Sequence, residues 1–140
     1  MKIITGSPAE TRKFAQGFAR KLRKGDILCL KGELGSGKTT FIQGLARGLG
    51  IRGNVVSPTF VLLAEYKGKI PLYHFDLYRL NSTEEIRALG YEEFFYGSGI
   101  TVIEWAEKLK ELMPEKYIEV RFKIINKNKR EIVITPDNQR

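Results

Sequence analysis

The sequence predicts an α/β fold: a mainly parallel central sheet with antiparallel additions and flanking helices. Three observations carry this. A short apolar run, Ile27-Leu28-Cys29-Leu30, leads through a glycine-rich loop into a helical pattern over residues 39–49. A second such run, Ile100-Thr101-Val102-Ile103, ends at Glu104. Runs that are apolar at nearly every position suit strands covered on both faces, as parallel strands are. Two pairs of β-rich runs, 60–66 with 70–78 and 117–125 with 131–135, are joined by Lys67-Gly68-Lys69 and by Asn126-Lys127-Asn128-Lys129. Short polar connections of that kind read as antiparallel hairpins.

Taken in order, residues 2–5 predict a short edge strand. Ser7-Pro8-Ala9-Glu10 is a helix start: Ser7 caps, Pro8 suits the first helical position and Glu10 completes a capping box. Phe14, Phe18 and Leu22, with Ala15 and Ala19, form the inward stripe of this first helix, which the pattern carries as far as Gly25. After the glycine-rich loop, the helix over 39–49 turns Phe41, Ile42, Leu45, Ala46 and Leu49 to one side and stops at Gly50. Pro58 forces Ser57 out of the helical region. The following Thr59 fits a loop that senses a γ-phosphate, and it fits a plain turn equally well. Ser82 and Glu85 make a second capping box for a helix ending near Gly90. Residues 91–96 form a short helix, Gly97-Ser98-Gly99 a turn, and residues 106–113 a last short helix stopped by Pro114. The final residues are expected to fray. No repeat, linker or low-complexity segment divides residues 1–140, so one domain is expected.

The glycine-rich loop, Gly32-Glu33-Leu34-Gly35-Ser36-Gly37-Lys38-Thr39, fits G-x-x-x-x-G-K-[ST] and is followed by Thr40. The pattern alone also matches ordinary turns, but here the strand and helix that the chemistry requires lie on either side. The glycines let successive backbone N–H groups converge on phosphate oxygens, and the helix N-terminus adds partial positive charge. Lys38 would reach the β- and γ-phosphates, and the Thr39 hydroxyl would sit on Mg²⁺. The fold class is therefore P-loop NTPase-like. Ligands of open α/β sheets sit beyond the carboxyl ends of the strands. Asp76 and Glu104 each close a four-residue strand run, so either suits the carboxylate that holds Mg²⁺ directly or through water.

Composition narrows the class further. No apolar run approaches the roughly 20 residues of a membrane span, and the N-terminus lacks the apolar stretch of a secretory signal. A cytoplasmic protein without a membrane partner is expected. One cysteine and one histidine are too few for a Cys/His zinc site, and Cys29 reads as a small core residue. The net charge of +8 suggests a polyanion partner. Yet the positive residues are scattered along the chain, with no aromatic platform for single strands. A solvated surface around a nucleotide pocket explains the charge better than autonomous RNA binding.

Four blocks together resemble the TsaE (YjeE) family: Gly32 to Thr40, Ser57-Pro58-Thr59-Phe60, His74-Phe75-Asp76-Leu77-Tyr78-Arg79-Leu80, and Ile103-Glu104-Trp105. They occur in the family's order and spacing and span about residues 7–135. The resemblance implies a small bacterial Mg²⁺-dependent ATPase acting with TsaD-like and TsaB-like proteins. That system makes threonylcarbamoyladenosine beside the anticodon of tRNAs reading codons that begin with adenine. The family member hydrolyses ATP on the complex and resets it between turnovers, without catalysing carbamoyl transfer; tRNA is met indirectly. Position by position, the resemblance implies that Glu33, Leu34, Gly35, Ser36, Gly37, Lys38, Thr39 and Thr40 bind ATP. Thr39 and Glu104 would hold Mg²⁺. Lys38, Asp76 and Glu104 would form the catalytic set, with Asp76 serving hydrolysis. Trp105 would lie beside the site, and Thr11 and Arg130 would flank the adenosine.

Two rival functions share the loop. A small-molecule kinase would also need an acceptor pocket and an arginine-bearing lid, and only Arg79 and Arg87 lie between Arg52 and Arg121. A nucleotide-gated adaptor would hydrolyse ATP only incidentally.

Overall fold

In the computed structural model, residues 1–53, 55 and 62–135 are described. In chain order the elements are β1 (Lys2–Thr5), α1 (Pro8–Ala19), β2 (Ile27–Lys31), α2 (Lys38–Gly48), β3 (Leu63–Tyr66), β4 (Leu72–Asp76), α3 (Thr83–Ala88), α4 (Tyr91–Phe95), β5 (Ile100–Glu104), a 3-10 segment (Ala106–Leu112), β6 (Ile118–Ile124) and β7 (Arg130–Thr135). All seven strands join one sheet in the order β1-β7-β6-β2-β5-β4-β3. Strands β6, β2, β5 and β4 run parallel, while β3, β7 and β1 pair antiparallel at the two sides. This is the mixed sheet with a parallel middle that the apolar runs imply. The one addition is β6, which is a hairpin strand with β7 and also the parallel neighbour of β2.

Side chains alternate across a strand, so the parallel core splits into two layers. Leu28, Leu30, Leu72 and Val102 face one way and pack with Ala15, Phe18, Phe41, Ile42 and Leu45 of α1 and α2. Ile27, Cys29, Phe75 and Ile103 face the other way and pack with Ile86 of α3, Phe95 of α4 and Leu109 of the 3-10 segment. Every residue of β5 is buried.

Helix α1 begins as expected. Ser7 Oγ accepts from the Glu10 amide at 3.1 Å, and Glu10 Oε1 accepts from the Gly6 amide at 2.8 Å. It ends at Ala19, earlier than the apolar stripe suggests. The next residues, Arg20, Lys21, Arg23 and Lys24, would set like charges three and four apart on a continued helix, which disfavours it. The Arg23 amide instead donates to Asp26 Oδ2 at 2.6 Å, and the chain turns there into β2. Strand β4 is shorter than the run 70–78. Asp76 Oδ1 accepts from the Tyr78 amide at 3.0 Å, and that local turn closes the strand. The segment after β5 is 3-10 rather than α-helical; it is entered through a left-handed Trp105 (φ 63°) and broken at Lys110 (φ 49°). The expectations for Ser57, Pro58, Thr59 and Phe60, and for fraying of the final residues, lie outside the described residues.

Candidate nucleotide-binding site

Parallel pairing brings the carboxyl ends of β2, β5 and β4 to one edge of the sheet. The register aligns Leu30 with Glu104 and Glu104 with Asp76. The Leu77 amide donates to the Glu104 carbonyl at 3.2 Å, which holds the two acidic residues side by side just past the sheet. From the end of β2 the chain enters the glycine loop. Gly32 lies where a Cβ would come within 2.6 Å of Ser36 Oγ and 2.9 Å of Phe122 Cβ, so the loop closes tightly against β6. Gly37 takes φ 106° and serves as the N-cap of α2, a conformation that favours glycine.

Helix α2 has no side-chain cap, in contrast to α1 with Ser7. Its first amides are therefore open to an anion, and its dipole favours one. Ser36 Oγ is buried without a hydrogen-bond partner among the described residues. An uncapped helix and a glycine cradle fit a phosphate chain; the Ser36 side chain, implied to bind ATP, is turned under Gly32 and does not line the cavity.

A cavity of about 850 Å³ opens over this loop. Gly32, Glu33, Leu34 and Gly35 line it, as do Gly37, Lys38, Thr39 and Thr40. Asp76, Glu104 and Trp105 face the same space. Lys38 Nζ donates to the Gly32 carbonyl at 2.7 Å, stands 4.0 Å from Glu104 Oε1 and lies 5.6 Å from the centre of the Trp105 ring. The other Glu104 oxygen, Oε2, is 2.7 Å from His74 Nε2. Glu104 and His74 are both buried, whereas Trp105 is 38% exposed and packs at a tilt against Tyr78, ring centres 4.9 Å apart. Lys108 Nζ donates to the carbonyls of Tyr78 and Leu80, which ties the turn after β4 to the segment after β5.

Neither residue implied to flank the adenosine lines the cavity. Thr11 is buried, its hydroxyl 2.7 Å from that of Thr5, and it does not line the cavity. Arg130, in the β6–β7 hairpin, donates from NH2 to the Gly35 carbonyl at 3.3 Å and from NH1 to the Asn126 carbonyl at 2.8 Å. It thereby pins the hairpin onto the glycine loop. Sequence reasoning gave no role to Tyr78 and Arg79, which line the cavity, or to His74 beneath it. For His74 a signal was available: it lies two residues before Asp76, and alternation puts both on one face of β4.

Metal fit can be judged from the donors present. No group of three His, Cys, Asp or Glu among the described residues could cage an ion. The Thr39 hydroxyl and a single Glu104 oxygen suit Mg²⁺, which keeps several waters and takes further ligands from phosphate rather than from an all-protein cage.

The family model for the threonylcarbamoyl adenosine biosynthesis protein TsaE matches residues 5–132. The chain belongs to the TsaE family. A TsaE protein of Treponema pallidum is 40% identical over 134 residues, covering 96% of this chain and 99% of the relative. Another, from Bacillus subtilis, is 42% identical over 136 residues, covering 96% and 85%. The crystal structure of Bacillus subtilis YdiB is similar, with a TM-score of 0.82 at 38% identity, covering 96% of this chain and 83% of that one. The shared fold is the P-loop architecture. In this chain the glycine loop and both strand-end acids line one cavity. Among the described residues no helix is long and apolar enough to cross a membrane.

Proposed function

We propose that the chain is a Mg²⁺-dependent ATPase required for threonylcarbamoyladenosine modification of tRNA. It works in the cytoplasm on a complex of TsaD-like and TsaB-like proteins and reaches tRNA through them. One observation carries the catalytic part: an uncapped helix N-terminus and its lysine face two carboxylates at the ends of adjacent parallel strands. Membership of the TsaE family supports the pathway.

The residues divide the work by position. The loop amides and Lys38 would bind the triphosphate, with Lys38 leaving the Gly32 carbonyl for phosphate oxygens. Thr39 and Glu104 would hold Mg²⁺. When bound, the ion would neutralise charge on the β- and γ-phosphate oxygens. Asp76 accepts from the Tyr78 amide with Oδ1, and its other oxygen would orient a water. Leu34 is 97% and Tyr78 59% exposed where they line the cavity, and a rim so exposed would admit water, which favours hydrolysis over transfer to a small acceptor. Exposed Leu34, Tyr78 and Trp105 also offer an apolar rim that a partner would cover.

Phosphate release is the test, measured for the chain alone and with purified TsaD–TsaB complex. We expect slow release alone, stimulation by the complex, and co-purification that differs between ATP and ADP. Lys38→Ala should abolish release. It should also remove the thermal stabilisation by ATP–Mg²⁺, about 2.7 kcal/mol at a hundredfold excess over Kd, without altering the apo melting temperature. Phosphate transfer to a metabolite with no free phosphate would favour a kinase. Nucleotide-gated binding with no turnover would favour an adaptor.

A further inference from the structure

The single histidine of the chain lies under the site. His74 is fully buried on β4, and its Nε2 stands 2.7 Å from Glu104 Oε2 on the neighbouring parallel strand. Its Nδ1 has no hydrogen-bond partner among the described residues. A carboxylate only accepts, so the shared proton belongs on Nε2; a proton on Nδ1 would be buried with no acceptor. Among the described residues the His74 side chain therefore has one polar contact, Glu104.

The consequence lies in which Glu104 oxygen is free. Oε2 is held toward the sheet by His74, while Oε1 is directed at Lys38 Nζ, 4.0 Å away. That distance is the outer limit of an ion pair. A carboxylate released from His74 would be free to turn and close on the ammonium. It would then leave its place at the metal and hold Lys38 back from the phosphates. Resting on the nucleotide reading above, we propose that His74 is a positioning residue: it fixes the Glu104 carboxylate so that a single oxygen faces Mg²⁺ and Lys38 stays available. Partners that orient a metal-binding carboxylate in this way commonly affect metal affinity by about 10–100-fold.

The test reads metal dependence without turnover. Mg²⁺ is titrated into the full chain with saturating ATP, following melting temperature and Trp105 fluorescence; Trp105 lies 5.6 Å from Lys38 Nζ and is the only tryptophan. ATP affinity in EDTA is measured in parallel. His74→Gln keeps a donor near the Nε2 position. His74→Phe keeps ring bulk without a donor, and His74→Asn is polar but too short to reach. We expect the Mg²⁺ half-saturation point to rise about tenfold or more in His74→Phe and His74→Asn and to stay within about threefold of the parent in His74→Gln. Affinity in EDTA should fall much less. Should His74→Phe fail to fold, the contrast between His74→Gln and His74→Asn decides.

An unchanged Mg²⁺ dependence in the donor-less variants would overturn the role of His74 alone. So would equal losses with and without metal, or a His74→Gln variant as impaired as His74→Asn. A parent chain with no response to ATP and Mg²⁺ would overturn the nucleotide reading, and this inference with it.

Discussion

Asp76 and Glu104 occupy matching places at the ends of β4 and β5, yet their surroundings differ. Glu104 is buried between His74 and Lys38, whereas Asp76 is only partly covered and has one oxygen engaged in a local turn. A buried carboxylate beside the lysine suits a fixed metal ligand; a more exposed one suits handling water. We expect Glu104→Ala to weaken Mg²⁺-dependent nucleotide binding. Asp76→Ala should leave binding largely intact and slow hydrolysis by about 10²-fold, or roughly 2.7 kcal/mol of barrier. Calorimetric affinity and single-turnover rates measured separately decide this, and reversed phenotypes would exchange the two roles. Both acids were legible in the sequence because each ends an apolar run. The difference between them was not, since it depends on His74 from a neighbouring strand and on Lys38 from α2. His74 and Lys38 lie 30 and 66 positions from Glu104 along the chain, and only the tertiary fold brings them together.

At the scale of elements, the two long helices begin in opposite ways, and both beginnings follow from local sequence. Ser7 Oγ accepts from the Glu10 amide, Pro8 has no amide to satisfy and Glu10 reaches back to the Gly6 amide, while Gly37 leaves the first amides of α2 open. Ser7→Ala should therefore cost about 1 kcal/mol of stability, lowering the urea midpoint without changing the slope, and nucleotide affinity should be untouched. Gly32→Ala should do the reverse of sparing function. Its Cβ would meet Ser36 Oγ at 2.6 Å and Phe122 Cβ at 2.9 Å, and the loop must shift to admit it. We expect it to abolish the ATP-dependent rise in melting temperature, checked by thermal shift in parallel with Ser7→Ala. Caps and glycine turns are legible because they are local. The early end of α1 was less so: its apolar stripe runs on to Leu22, which stays buried in the turn that follows, while the neighbouring cationic side chains disfavour more helix.

At the scale of the molecule, which strands touch is the least local information. The β6–β7 hairpin was legible from alternation, but nothing in residues 118–124 alone says that β6 also lies parallel to β2. That pairing encloses β2, and Cys29 with it, between β5 and β6. Cys29 aligns with Ile103 on one side and Glu119 on the other and is fully buried. Burial pushes its thiol up from 9.0 to about 12. The sign for stability follows. Below pH 9 the thiol keeps its proton folded or unfolded and adds no pH dependence. Between pH 9 and about 12 only the unfolded chain loses the proton, so this group lowers stability as pH rises. Near pH 8 the folded thiol is neutral as well as enclosed, so a thiol reagent should reach it only after the central sheet opens. Labelling of Cys29 then measures global opening. If reclosing is faster than labelling, ATP–Mg²⁺ at a hundredfold excess over Kd should slow it about a hundredfold, because the ligand stabilises the closed form by that factor. Lys38→Ala should lose the slowing and keep the same rate without nucleotide. Rapid labelling insensitive to urea and to nucleotide would mean that β2 is reached by a local opening, and the enclosure inferred from its two parallel neighbours would be wrong.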